Sequence, residues 1–124
     1  MSIIEKTMKL KNWAVVGATT KKNRYGYKIV KKLKENDYNV FPVNPKFEEV
    51  DGQKCYPDLS SIEAQIDVVD MVVNPKHGIK VIKEINELGI KYVWLQPGTR
   101  SQEIKDFAAE NEIEIVEDCI YARL

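Results

Sequence analysis

The segment Trp13-Ala-Val-Val-Gly17-Ala-Thr-Thr-Lys-Lys-Asn-Arg-Tyr-Gly26 passes from an apolar run through a polar, basic loop to the start of a helical pattern. An apolar run without alternation that ends in glycine is typical of a strand buried on both faces of a parallel sheet. Next, the apolar side chains of Tyr25, Ile29, Val30 and Leu33 recur at helical spacing, and lysines occupy the opposite face. The segment therefore predicts a strand, a loop and an amphipathic helix that ends near Asn36.

The rest of the chain repeats this alternation. Apolar runs predict four more strands, over residues 39–43, 67–73, 92–95 and 114–116. Further helices are predicted over residues 3–10, from Pro75 to a glycine cap at Gly89, and after the capping-box pattern Thr99-Arg-Ser-Gln102. Residues 44–58 are predicted to form the loop that leads from the second strand to the third. Residues 118–124 show no clear hydrophobic periodicity. The pattern predicts an α/β fold: an open parallel five-stranded sheet with helices on both faces, forming one domain over residues 1–124.

The composition excludes several classes of protein. The 124 residues include 19 basic and 19 acidic side chains, a net charge of zero, which excludes a strongly basic nucleic-acid binder. No apolar run approaches the roughly 18 residues that cross a bilayer, and the N-terminus lacks the apolar core of a secretory signal. Two cysteines, Cys55 and Cys119, are too few for a disulfide scaffold. We therefore expect a cytoplasmic protein that binds neither nucleic acid nor membrane.

The zero net charge conceals an uneven distribution. Residues 1–36 contain ten basic and two acidic side chains, whereas residues 37–124 contain nine basic and seventeen acidic ones. An uneven charge distribution of this kind gives a small domain an electrostatic potential that differs between its basic and acidic parts. Either the basic third attracts an anionic ligand, or the two groups simply solvate different faces of the protein. Charge alone leaves both interpretations open.

Unusual residues follow four of the predicted strands. These strand exits are Gly17–Gly26, Asn44-Pro-Lys46, Asn74-Pro-Lys-His77 and Gln96-Pro-Gly98. In open α/β sheets, ligands bind beyond the carboxyl ends of the strands, where the strand order reverses. Three of the four exits carry a proline, which sets a rigid turn. We therefore predict a binding cleft at this edge of the sheet.

The loop after the first strand has the features of a phosphate site. Gly17 lets the backbone approach a ligand without interference from a Cβ atom. The helix that begins at Tyr25 directs its positive N-terminal end toward the loop, which favours an anion. The loop also carries hydroxyl groups and positive charges, on Thr19, Thr20, Lys21, Lys22 and Arg24.

Two common nucleotide motifs are absent. The fingerprint G-x-G-x-x-G fails at Thr19, which stands where the second glycine belongs. Asn44 occupies the place of the acidic residue that would hold a ribose hydroxyl. The Walker pattern is missing too, so the sequence disfavours NAD binding and P-loop hydrolysis. A nucleotide with a diphosphate and an additional ribose phosphate on Lys46 fits better, and both CoA and NADP have that composition.

Four short motifs, in order, carry a resemblance to a known family. They are Ala14-Val-Val-Gly-Ala18, Arg24-Tyr-Gly26, Val43-Asn-Pro45 and Val93-Trp-Leu-Gln-Pro-Gly98. Together they resemble the small stand-alone CoA-binding domain proteins, which are similar to the N-terminal domain of the succinyl-CoA synthetase α subunit. The resemblance covers nearly the whole chain. It implies a Rossmann-like fold and CoA, or an acyl-CoA, as the ligand.

The resemblance also implies a set of ligand contacts. The residues that match the loop around the CoA phosphates are Gly17, Ala18, Thr19 and Thr20, flanked by Arg24 and Tyr25. Those that match the segment near the adenine nucleotide are Val43, Asn44, Pro45 and Lys46, with Lys46 on a phosphate. The residues that match the narrowing of the cleft and the turn after the fourth strand are Asn74, Pro75, Gln96, Pro97 and Gly98.

The sequence offers no catalytic or metal constellation. His77 is the only histidine, so it cannot complete a Ser-His-Asp set or, with two distant cysteines, a zinc site. We therefore predict a non-catalytic CoA-binding module. Two alternatives remain: an oxidoreductase that uses NADP, with His77 as its acid or base, and a regulatory interaction protein with a vestigial nucleotide site. The sequence identifies no protein partner, and its apolar helix faces leave a homodimer open.

Overall fold

A computed structural model describes residues 1–124. Helices and strands alternate along the chain, in the order α1 (Ile3–Met8), β1 (Asn12–Val16), α2 (Tyr25–Glu35), β2 (Asn39–Val43), β3 (Glu49–Val50), β4 (Gln53–Lys54), β5 (Val68–Met71), α3 (Pro75–Glu87), β6 (Tyr92–Leu95), α4 (Gln102–Glu110), β7 (Glu114–Val116) and α5 (Ile120–Arg123). A short 3-10 helix covers Leu59–Ser61. None of the helices combines the length and apolar character that crossing a membrane requires.

Five strands form the main sheet, in the spatial order β2-β1-β5-β6-β7. All neighbouring pairs are parallel, so the predicted fold class is confirmed. From β1 the chain moves outward to β2 and then returns to the other side of β1 as β5. The strand order therefore reverses between β1 and β5, and this is the position where such sheets open a crevice.

Two hydrophobic cores cover the two faces of the sheet. Trp13 and Val15 belong to the core beneath α2 and α5, whereas Ala14 and Val16 belong to the core beneath α3 and α4. Successive side chains of a strand point to opposite faces, so both sets in β1 must be apolar. This explains why the apolar run in β1 shows no alternation. All four side chains are buried.

Helix α1 is attached to the first of these cores by a buried hydrogen bond. The indole Nε1 of Trp94 in β6 donates to the hydroxyl of Thr7 at 2.9 Å. Both side chains are fully buried. The Thr7 hydroxyl itself donates to the carbonyl of Ile3 at 2.8 Å, so each polar atom has a partner, as buried polar groups require.

Several boundaries differ from those predicted; α1, for example, ends at Met8 rather than near residue 10. The third strand of the main sheet is limited to Val68–Met71, because the chain turns at Asn74, whose side chain caps α3.

The prediction that Thr99 caps the fourth helix is wrong: Ser101 caps α4 and accepts from the backbone N–H of Ile104. Thr99 is buried, and its hydroxyl donates to the carbonyl of Val73 at 2.6 Å. The hydroxyl therefore joins two strand exits.

The connection after β2 contains a β-hairpin that was not predicted. Strands β3 and β4 are antiparallel and are joined by Asp51 and Gly52, both with positive φ. An Asp-Gly pair is a strong signal for such a turn. The hairpin is held against α2, because Asp51 accepts from the hydroxyl of Tyr27 at 3.0 Å and forms an ion pair with Lys34 at 3.0 Å.

The segment after the hairpin covers the outer edge of β2. The backbone N–H of Tyr56 donates to the carbonyl of Pro42, and the N–H of Asn44 donates to the carbonyl of Tyr56, both at 2.9 Å. These bonds form an isolated parallel bridge between Val43 and Tyr56. Pro42 has no N–H to offer and is confined to an edge strand, as here.

Candidate ligand-binding site

A cleft of about 910 Å³ lies at the carboxyl ends of β1, β2 and β5. This volume falls within the range of small-molecule sites. The cleft is lined by the exits of those strands, by residues 57–60 and by one side of α3. Its position coincides with the reversal of strand order between β1 and β5. The cleft therefore lies where the sequence predicts a binding site.

Three backbone segments converge beneath the cleft. A Cβ atom added to Gly26 in α2 would lie 2.2 Å from the carbonyl oxygen of Gly17, and one added to Gly17 would lie 2.3 Å from that of Val72. Gly17 also has φ of +97°, a conformation that favours glycine. The two glycines therefore allow the loop after β1, the start of α2 and the exit of β5 to come into contact.

The N-terminus of α2 is open to an anion. Arg24 is its N-cap residue and forms no side-chain cap, whereas α3 and α4 are capped by Asn74 and Ser101. The first N–H groups of a helix have no partner inside the helix, and with the helix dipole they favour a negative charge. The Arg24 side chain lines the cleft and makes no ion pair within 4.0 Å.

Asn44 holds the exits of β1 and β2 together. Its amide nitrogen donates to the carbonyl of Ala18 at 2.8 Å, and its amide oxygen accepts from the N–H of Lys46 at 2.9 Å. The Cys55 thiol donates to the carbonyl of Asn44 at 3.5 Å, and burial raises the pKa of this thiol. The turn is fixed from three directions, which leaves the exposed Lys46 side chain at the cleft.

A buried carboxyl group lies in the central part of the sheet. Asp70 in β5 has no exposed surface, and its hydrogen-bond donor is the side-chain amide of Gln96. Burial raises the pKa of Asp70 well above its ordinary value, and the hydrogen bond from Gln96 opposes this only in part. Asp70 was not among the residues predicted from sequence to form the site. Its position in the apolar run Val68-Val-Asp-Met-Val-Val73 was an available signal.

The wall formed by α3 was also missed, apart from His77. Lys80, Lys83, Glu84 and Glu87 line the cleft together with His77. Glu84 is joined to the opposite wall, because one of its oxygens accepts from both the N–H and the hydroxyl of Ser60, at 3.2 and 2.8 Å. No group of three His, Cys, Asp or Glu side chains could hold a metal ion.

The structure brings part of the predicted residue set together. The predicted residues that line the cleft are Gly17, Arg24, Val43, Asn44, Pro45, Lys46 and Asn74. Those that are not part of its lining are Ala18, Thr19, Thr20, Tyr25, Pro75, Gln96, Pro97 and Gly98. Tyr25 is 54% exposed, and its ring lies edge-on against Tyr121 with the centroids 5.8 Å apart. The Gln96 side chain is buried against Asp70.

A parallel sheet with a cleft at its reversal point and an open helix N-terminus defines the Rossmann-like class of α/β proteins. Within that class, a family model for the CoA binding domain matches residues 11–124. The chain therefore belongs to the CoA-binding domain family, and the resemblance seen in its sequence motifs is confirmed.

Curated relatives include longer ligases. The chain is 33% identical over 103 residues to the ADP-forming acetate–CoA ligase of Methanocaldococcus jannaschii. The aligned segment covers 83% of this chain and 14% of the ligase. It is 37% identical over 81 residues to the α subunit of ADP-forming acetate–CoA ligase II of Pyrococcus furiosus, 64% of this chain and 18% of that subunit. The chain thus spans less than a fifth of these relatives.

Solved structures of similar size share the fold along nearly the whole chain. A hypothetical protein from Pyrococcus horikoshii OT3 superposes with a TM-score of 0.91 at 39% identity, covering 97% of this chain and 85% of that one. A protein from Thermus thermophilus gives a TM-score of 0.89 at 28% identity, with 98% and 96% covered. The same arrangement of strands and helices therefore occurs in chains of comparable length.

Proposed function

We propose that this protein binds CoA, or an acyl-CoA, in the cleft at the carboxyl edge of its sheet, and that it has no catalytic residues of its own. The observation that carries the proposal is the cleft at the reversal point between β1 and β5, in a chain that belongs to the CoA-binding domain family. The module would hold its ligand for a partner or report the ligand's presence to one.

The residues around the cleft fit the chemistry of CoA. CoA carries a diphosphate and a phosphate monoester on its ribose, so its site needs several unpaired donors and cations. Arg24 and Lys46 line the cleft without a carboxylate within 4.0 Å. The close contact between Gly26 and Gly17 brings the start of α2 directly against the loop after β1. We assign the diphosphate to this loop and to the N-terminus of α2.

Other predicted contacts near the loop have three different roles in this proposal. Asn44 acts through other residues, because its side chain fixes Ala18 and Lys46 and is not free for a ligand. Thr19 and Thr20 belong to the same loop as Gly17 and would reach a phosphate through their hydroxyl or N–H groups. Tyr25 lies beside that loop and would flank the ligand rather than line the cleft.

Isothermal titration of the nucleotide-free protein with CoA, acetyl-CoA and NADPH tests the proposal. We expect both CoA compounds to bind and NADPH to remain silent. Replacing Arg24 or Lys46 with Gln should weaken CoA binding by about tenfold each, because each replacement removes one charge-assisted phosphate contact. Lys31→Gln is the matched control, since Lys31 is exposed on α2 and does not line the cleft.

Two results would contradict the proposal. If NADPH binds and CoA does not, the ligand is wrong and the oxidoreductase alternative regains support. If CoA binds but Arg24→Gln, Lys46→Gln and Lys31→Gln all behave like the unmodified protein, the ligand is correct and the cleft is the wrong site.

A further inference from the structure

Helices α3 and α4 lie side by side on one face of the sheet. Both pack on the core that contains Ala14 and Val16. A Cβ atom added to Gly78 of α3 would lie 2.9 Å from Cδ1 of Ile104 in α4. Each helix follows a strand of the parallel sheet, so the two helices run in the same direction, with Gly78 at the level of Ile104. Their outward surfaces therefore form one continuous face of the protein.

This face carries one basic and one acidic row of side chains. Each row follows the spacing of neighbours on a helix surface, and all its members are exposed. The basic row on α3 consists of Lys76, Lys80 and Lys83, and the acidic row on α4 consists of Glu103, Asp106 and Glu110. None of the six forms an ion pair within 4.0 Å. The two rows therefore do not neutralise each other, although their helices are neighbours.

Like charges repel within each row, because they are three and four residues apart on one helix. Lys105 is the one cation of α4, and it lies 3.2 Å from Glu117 on the side of β7. Glu87 continues the α3 row, but it lies beyond the level at which α4 ends. Opposite charges supplied by another molecule would relieve the repulsion in both rows.

Apolar surface lies between the two rows. A groove of about 460 Å³ separates α3 from α4, and Ile79 and Phe107 line it beside charged members of both rows. Both side chains pack against the core and are only partly buried. An apolar centre between charged margins is the usual arrangement of a protein–protein interface.

A face with a basic and an acidic row side by side is complementary to itself. A two-fold axis along the groove, parallel to both helices, places α3 of one copy on α4 of the other. Each basic row then meets an acidic row, once on either side of the axis, and Ile79 and Phe107 of both copies are enclosed between them. A uniformly acidic or uniformly basic partner would be repelled by one of the two rows.

The register of the helices fits this axis. Rotation about an axis parallel to the helices keeps every residue at its level. Lys80, two residues after Gly78, therefore meets Asp106, two residues after Ile104. We propose that this protein forms a two-fold symmetric dimer through α3 and α4, held by the two charged rows. The dimer requires no bound ligand, so it holds or fails independently of the function proposed above.

Sedimentation equilibrium of the ligand-free protein tests the dimer, over about 5–500 µM protein at low salt. We expect a monomer–dimer equilibrium. Its dissociation constant should rise by at least about tenfold between about 0.02 and 0.5 M salt, because the contacts between the rows lie near solvent and are screened. A monomer at every concentration would overturn the proposal, and so would a dimer that salt leaves unchanged.

Charge reversal in one row tests which surface is used. Glu103→Lys with Glu110→Lys gives α4 a net basic row, and Lys76→Glu with Lys83→Glu gives α3 a net acidic row. Each double variant alone should be monomeric, because like charges then face each other in both contacts of a dimer. An equimolar mixture of the two variants should dimerise again. In the mixed pair, the reversed α3 of one chain meets the reversed α4 of the other, and the second contact is native.

Glu48→Lys with Glu63→Lys is the matched control, because it changes the net charge equally at exposed positions outside α3 and α4. Its dimer should equal that of the unmodified protein. If the control also dissociates, net charge governs association and the proposal is wrong. If either reversed variant still dimerises alone, the dimer uses another surface. Recovery in the mixture requires two folded chains. A mixture that stays monomeric, although both variants unfold cooperatively in urea, also overturns the proposal.

Discussion

The side-chain amide of Gln96 donates to the two carboxyl oxygens of Asp70, at 3.3 and 3.4 Å. Asp70 has no exposed surface and Gln96 is 3% exposed. Along the strands Asp70 lies opposite Val15 and Trp94, which offer no charge. An ionised carboxylate is costly in such surroundings, so burial raises the pKa of Asp70 well above its ordinary value.

Asp70→Asn should therefore change how stability depends on pH. The folded protein retains the Asp70 proton at pH values where the unfolded chain, with a pKa near 3.8, has lost it. The stabilisation is thus complete below that value and is lost as the pH rises through the raised pKa. Relative to the native protein, the Asn variant should gain up to about 1.4 kcal/mol per pH unit in this range.

Urea unfolding at about pH 4.5, 6 and 7.5 measures this difference. Glu63→Gln is the control, because it removes a carboxyl group that is exposed rather than buried in the sheet. A constant difference in stability between Asp70→Asn and the native protein across the range would show that Asp70 is ionised in the fold.

Gly26→Ala should disturb the loop after β1. The new Cβ would lie 2.2 Å from the carbonyl oxygen of Gly17, so backbone must move. We expect a loss of about 1–3 kcal/mol in the free energy of unfolding, together with weaker CoA binding in titration. Gly98→Ala provides a comparison, because its Cβ meets nothing within 4 Å although φ is +93°. Native-like stability and CoA affinity in Gly26→Ala would contradict the close approach.

Thr7→Val should weaken the attachment of α1. The substitution keeps the shape of the side chain but removes the acceptor of the buried Trp94 indole, 2.9 Å away. An unpaired buried donor costs about 1–3 kcal/mol, which urea unfolding would detect. Thr20→Val, at an exposed position, should be nearly neutral. If the two variants have equal stability, the hydrogen bond contributes nothing measurable.

Asn44→Asp and Asn44→Ala should separate two roles of this side chain. Both remove the donor to the carbonyl of Ala18, whereas Asp retains an acceptor for the N–H of Lys46. If Asn44 only positions the two exits, Asp should bind CoA at least as well as Ala. If the phosphates lie nearby, the new negative charge should make Asp weaker than Ala, by about tenfold. We expect the second result when CoA is titrated into both variants at low ionic strength. CoA affinities of the two variants that do not change with salt concentration would contradict it.

Sequence patterns predicted the sheet well because its strands are buried on both faces. Strand β2 and strand β6 have the predicted bounds, and β1 differs by one residue at each end. The hairpin was missed although Asp51-Gly52 signals its turn, because the flanking strands have only two residues each. Thr99 was misassigned because it fits a capping pattern, while its actual partners, in β5 and beyond, are distant in sequence.

The candidate site was predictable only where it follows directly from strand exits. Gly17, Lys46 and Asn74 stand at those exits, and all three line the cleft. The α3 wall depends instead on which helix crosses beside which strand, and local periodicity does not contain that information. The burial of Gln96 likewise depends on Asp70 in a neighbouring strand, 26 residues earlier in the chain.

The pairing of Tyr56 with the edge of β2 has a consequence for association between molecules. An exposed strand edge is a template on which another chain can add a strand, the first step of many aggregation reactions. Here the carbonyl of Pro42 and the N–H of Asn44 are already bonded to Tyr56. At the opposite edge, β7 is only three residues long and begins at the exposed Glu114. Peptide capture or fibril growth by sheet extension is therefore disfavoured at both margins of the sheet.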